Sequence, residues 1–211
     1  MVESKKTEKK IIGAAMEVFS EKGRHGAKMQ EIADRAGINK AMLHYYFRNK
    51  ENLYRTIFKT AFSGIFNRLE KAVDFNAGFD IQMKQIIGCY IDMLEKNPKL
   101  PLFIIRELGE GGAIARSVVR EYFDSGRLQL PHYLQKSVMN AIKSGEIVPI
   151  DLRQFMITII GSSLIFFVAE PIVFSIFPVE EDFDRIKFLE ERKKAIFNTL
   201  YYGLKPRKVS T

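Results

Sequence analysis

The sequence predicts an all-α protein, with an N-terminal three-helix head followed by a C-terminal helical bundle. Three observations carry the prediction. From Ile11 onward apolar residues recur at helical spacing. Nowhere does a strand-like alternation persist, and Gly or Pro punctuates the chain between the periodic segments. A length of 211 residues suits a small head and a larger body better than two full domains.

The first helix carries Ile11, Ile12, Ala15, Val18 and Phe19 on one face and stops at Gly23. A short second helix, residues 29–36, aligns Ile32, Ala33 and Ala36. Gly37 then supplies the left-handed C′ position that ends it, turning Ile38 back to the core. Asn39 is a good N-cap for a third helix of two turns, residues 40–47. Asn49 can cap again before a long amphipathic segment, 50–73, bearing Leu53, Ile57, Phe58, Ala61, Phe62, Ile65, Phe66 and Leu69. Beyond Gly78 every periodic segment reads as helix. Breaks fall at Asn97-Pro98, 109–112, Gly126, 145–149, Pro171 and Pro178, giving a body of five or six helices whose last runs from about 180 to 202.

Composition narrows the function. The net charge is +8, and residues 1–50 hold eight Lys and three Arg against five Glu and one Asp, so the basic excess is concentrated at the start and favours an anionic partner. A single cysteine, Cys89, excludes an internal disulfide framework and suits a reducing compartment. His25, His44 and His132 show no metal-ligand spacing, so no metal and no cofactor is expected. The charged first ten residues lack the apolar stretch of a secretory signal, so a cytoplasmic location is expected. Residues 154–169 are uncharged and very apolar but fall short of the roughly 20 residues that span a bilayer, and Glu170-Pro171 interrupts them. No membrane partner is expected. Neither a nucleophile–base pair nor a phosphate loop is visible; residues 109–112 follow no strand and lack a Gly-Lys-Ser/Thr ending, so no catalytic residue is assigned and the segment reads as a turn.

Two short helices joined by a tight glycine turn form a helix-turn-helix, whose second helix enters the DNA major groove. Ala33 permits close approach of the two helices, and Ile38, Leu43 and Tyr46 are spaced to lock them. Through Ala14, Phe19, Gly23, Ile32, Ala33, Ala36, Gly37 and Ile38, and on through 39–53, the stretch 9–54 resembles the TetR family of transcription regulators. One departure stands out: Ala27-Lys28 occupies the place where the family usually opens its second helix with Ser or Thr, so Lys28 substitutes a cation for a cap. The resemblance implies that Lys40, Ala41, His44 and Tyr45 face the groove, with Tyr46 and Lys50 on phosphates and Asn39 and Lys28 counted among the DNA-binding residues. Phosphate contacts set position and salt sensitivity, while base-edge contacts discriminate sequence. The competing reading leaves the lysines solvated, Tyr46 partly in the core and His44 structural.

The resemblance further implies a homodimer that binds double-stranded operator DNA through residues 1–49 and senses a small-molecule effector through 50–211. Dimerisation is expected through the last two long helices, about 152–169 and 184–202, with Ile159, Ile160, Ser163, Phe167, Phe197 and Tyr201 as candidate seam. Seventeen Phe and eight Met suggest an apolar, adaptable pocket. Its candidate walls are Phe62, Phe66, Tyr90, Met93, Phe103, Phe123 and Phe166, with Arg106 to orient an anionic group. A ligand-released repressor is the function so implied; an activator of the same fold and a basic peripheral membrane protein are the alternatives.

Overall fold

The computed structural model describes residues 2–126 and 128–207, and among these every regular element is an α-helix. In chain order they are α1 (Val2–Gly26), α2 (Met29–Ala36), α3 (Lys40–Phe47), α4 (Lys50–Ala72), α5 (Phe79–Lys96), α6 (Leu100–Gly109), α7 (Ala113–Asp124), α8 (Leu130–Lys143), α9 (Leu152–Ile176) and α10 (Arg185–Leu204). The chain packs as two compact units. Of the described residues the first comprises 2–64 and 97–126, the second 65–96 and 128–207, so α4 contributes to both.

In the first unit, Ile11, Ala15, Val18 and Phe19 of α1 bury against Ile32 and Ala33 of α2, Leu43 and Phe47 of α3, and Leu53, Tyr54, Ile57 and Phe58 of α4. Phe103 of α6 and Ile114, Ala115 and Val118 of α7 complete the same core. Truncating a residue such as Leu43 to Ala would cost roughly 2–5 kcal/mol. The turn between α6 and α7 falls at 110–112, where Gly111 and Gly112 adopt positive φ.

In the second unit, the end of α4 packs with α5, α8, α9 and α10 around Met83, Ile87, Ile91, Leu134, Ile159 and Ile196. Three carboxylates begin its helices. Glu70 Oε1 accepts from the amides of Gln129 and Leu130 at the start of α8, Asp151 from Arg153 at the start of α9, and Asp184 from Ile186 and Lys187 at the start of α10.

The expected end of α9 near Ala169 needs correction. The helix runs 25 residues and passes through Pro171. A mid-helix proline forfeits one backbone hydrogen bond, but packing on both sides of it holds the helix together. Before it, Phe166 meets Phe174 and Phe188, and Glu170 pairs with Arg185; after it, Phe174 stacks edge-on against Phe183 and Phe188. By length and composition alone the continuous helix is apolar enough to cross a membrane, unlike the 16-residue uncharged stretch read from sequence.

Candidate nucleic-acid interface

The reading helix is held by three successive turns of backbone chemistry. At the end of α2, Gly37 sits at φ 66° and ψ 37°; its amide donates to Asp34 O and the Ile38 amide to Ala33 O, the paired bonds of a Schellman motif. Asn39 Oδ1 then accepts from the Met42 amide at 2.7 Å and starts α3. Asn49 Oδ1 accepts from the Asn52 amide at 2.8 Å and starts α4. At Lys28, in contrast, no side chain caps α2, in keeping with the departure noted there.

With Leu43 and Phe47 buried, the opposite face of α3 presents Lys40, Ala41, His44 and Tyr45 to solvent, beside the exposed Asn39. Tyr45 is 83 % exposed, leaving its ring and hydroxyl open to a partner. Met42 is also exposed on this helix, a position sequence reasoning passed over because Met looks like core. Tyr46 is half-buried, its ring edge against Tyr45 and its hydroxyl donating to Ser4 Oγ. His44 Nδ1 lies 2.7 Å from the carbonyl of Arg48, and the Arg48 amide donates back to His44 O at 2.8 Å.

Lys50 is turned elsewhere. Its ammonium donates to the carbonyls of His25 (3.1 Å) and Ala27 (3.0 Å), pinning the α1–α2 connection to the start of α4. Sequence reasoning missed the group of charges around this pin. Gly23, at φ 69°, kinks α1 near its end, and Arg24 just beyond it pairs with Glu51 of α4 and with Glu110 of the α6–α7 turn while lying over the Tyr54 ring. Arg106 of α6 donates to the carbonyl of Glu21 at 3.1 Å. On α7, Glu121 accepts from Arg55 and Lys59 of α4, and those cations hold its carboxyl below the usual range.

The candidate pocket residues divide equally between the two units. Phe62 and Phe103 both pack on Phe58 in the first core, and Arg106 is committed to α1. Phe123, near the end of α7, is 64 % exposed. In the second unit Tyr90 and Phe166 are buried, and Phe66 packs on the core. Met93 floors a cleft of about 580 Å³ between the end of α4 and α5, bordered by Arg68, Lys71 and Lys96 and by Gln85, whose Oε1 already accepts from the Asp74 amide. Of the candidate seam, Ile159, Ser163, Phe197 and Tyr201 are covered inside their own chain. Ile160 is exposed and Phe167 half-buried. The outward apolar residues of α9 include Ile160 of that seam together with Ile157, Ile165, Ile172 and Ile176.

A capped helix-turn-helix with an outward-facing second helix is the mark of a sequence-specific DNA-binding protein. Residues 11–57 match the family model of bacterial regulatory proteins, tetR family, so the head of the chain is similar to the DNA-binding segment of those regulators. The Fatty acid metabolism regulator protein of Bacillus subtilis (strain 168) is 28 % identical over 137 residues, which is 65 % of this chain and 69 % of that one. Among solved structures, the regulator FadR from Bacillus subtilis in complex with stearoyl-CoA superposes with a TM-score of 0.64 at 21 % identity, covering 90 % of this chain and 98 % of that one. AibR in complex with isovaleryl coenzyme A and operator DNA gives a TM-score of 0.69 at 18 % identity, over 92 % and 98 %. At these identities the structural likeness is one of fold.

Proposed function

We propose that the protein is a cytoplasmic homodimeric repressor that leaves its operator when a fatty acyl-CoA or similar CoA thioester binds. The observation that carries the DNA half is the outward face of α3, where Lys40, Ala41, His44 and Tyr45 stand together on a helix fixed at both ends. In this reading residues 1–49 bind DNA. Lys40 reaches guanine acceptors and Ala41 a thymine methyl, Tyr45 and Tyr46 meet phosphates, and Lys28 adds a cation at the uncapped start of α2, where free amides favour an anion. Asn39 positions α3 through its cap bond, and Lys50 positions α4.

Residues 50–211 sense and pair. The effector class follows the fatty-acid and CoA-bound relatives, and two features of this chain support it: an apolar, Phe-rich body, and a cleft lined by Met93 and Cys89 together with Arg68, Lys71 and Lys96, whose one carboxylate, Asp92, is paired with Lys193. Such a cleft suits an anionic amphiphile. The outward stripe of α9 is covered by the same stripe of a second copy, and two reading heads then address two half-sites. Release requires the effector to prefer the non-binding state. A swing from 1:99 to 99:1 needs a preference of about 10⁴.

The test is binding of the purified protein to DNA upstream of its own gene against scrambled DNA across a salt series, with and without long-chain acyl-CoA. Preference for the upstream DNA, lost in Tyr45→Ala and weakened by acyl-CoA but not by free CoA, is the expected result. Equal, salt-labile binding to both DNAs would overturn the reading.

A further inference from the structure

The hydrogen bond inside the reading helix determines what one of its side chains can read. A carbonyl oxygen only accepts, so His44 Nδ1, 2.7 Å from Arg48 O, carries the proton. In the neutral imidazole the lone pair then resides on Nε2, and His44 offers DNA an acceptor. The arrangement is built rather than incidental. Arg48 is the one non-glycine residue at positive φ among the described residues (φ 61°), and its amide and carbonyl both bond to His44, to the main chain and the ring respectively. The C-terminal cap of α3 therefore orients the ring, while buried Leu43 and Phe47 keep the opposite face inward.

His44 offers a ring acceptor fixed by the helix itself. Lys40 and Lys28 only donate and Ala41 offers a methyl, groups that suit guanine N7 and O6, thymine methyl or phosphate; the Tyr45 hydroxyl can donate or accept, and Asn39 Oδ1 is engaged by the Met42 amide. In the major groove only adenine N6 and cytosine N4 present N–H donors. We infer that His44 is a specificity-determining residue that accepts a hydrogen bond from the exocyclic amino group of one adenine or cytosine in each operator half-site. Guanine or thymine at that step sets an acceptor against Nε2 and is disfavoured. The inference rests on α3 being the reading helix.

The experiment uses the full-length protein at pH 8 on a synthetic operator in which each adenine is replaced in turn by purine and each cytosine by 2-pyrimidinone, deleting the amino group alone. One position per half-site should lose about tenfold or more in affinity for the wild-type protein, and its identity settles adenine against cytosine. His44→Phe, which keeps a ring but no acceptor, should bind the intact and amino-deleted operators equally, and His44→Gln should restore part of the discrimination. Because each variant is compared with itself on two DNAs, a general loss of stability cancels. A guanine preferred at that position, or equal amino-deletion costs in the wild type and His44→Phe, would overturn the inference. Absence of sequence-preferring binding to any DNA would instead overturn the regulator reading on which it rests.

Discussion

Lys50 shows how a residue with an obvious functional reading is claimed by the fold. A lysine at the start of α4 in a basic head invites a phosphate, yet its ammonium bridges two carbonyls of the α1–α2 connection, where charge-assisted bonds are worth about 1.5–3 kcal/mol each before solvent is discounted. Lys50→Met is expected to cost roughly 1–3 kcal/mol of stability, lowering the melting midpoint by several degrees on a circular-dichroism trace. The slope of log affinity against log salt should stay unchanged, whereas removing a phosphate contact reduces it by about 1. A shallower slope with an unaltered melt would return Lys50 to the DNA. Asn39→Ala, which removes the cap of α3, is expected to cost about 1 kcal/mol.

At the scale of elements, the helix-turn-helix was legible because its signals are local: Gly37 at the C′ position, Asn39 and Asn49 as caps, and Ile38, Leu43 and Tyr46 at locking spacing, of which Leu43 is buried and the other two half-buried. The brace on that motif was not. Arg106 meets Glu21 across 85 residues, and nothing near either residue announces the pairing. The path of α9 through Pro171 was hidden for a related reason, since the local rule against proline yields to an aromatic cluster contributed partly by α10. The candidate seam shared that fate: periodicity identified an apolar helix but not which stripe its own chain would cover. Uncovered Ile157, Ile165, Ile172 and Ile176 now predict the outcome of Ile165→Glu combined with Ile172→Glu. Both side chains are exposed, so helicity should be retained while sedimentation shows a monomer and operator affinity falls at least a hundredfold, as one half-site replaces two. A double variant that remains dimeric would place the pairing surface elsewhere.

For the molecule as a whole, the charge balance sets a one-sided response to pH. With a net charge of +8, the protein holds several carboxylates against cations: Glu21 by Arg35, Glu121 by Lys59 and Arg55, and Asp151 by Arg153, the last with its pKa pulled down to about 2. In each the folded pKa lies below the unfolded one, so the folded state favours the charged form and the unfolded state binds protons first. The stability these pairs lend is complete above the unfolded values, near 4.5 for Glu and 3.8 for Asp, and is lost as pH falls through the depressed folded values. Protonation also removes negative charge from a molecule already strongly positive, which adds self-repulsion in the same direction. Urea melts should therefore show a midpoint nearly flat from pH 6 to pH 5 and falling steadily below about pH 4.5. All three carboxylates sit at the surface, where salt screens them. Adding 0.5 M NaCl should therefore flatten the acid limb, by weakening the pairs near neutrality and the repulsion below it. A midpoint that held level to pH 3 would mean that the ion pairs bracing α1 to α2 and α4 to α7 contribute nothing to folding, and that the apolar core alone holds those helices.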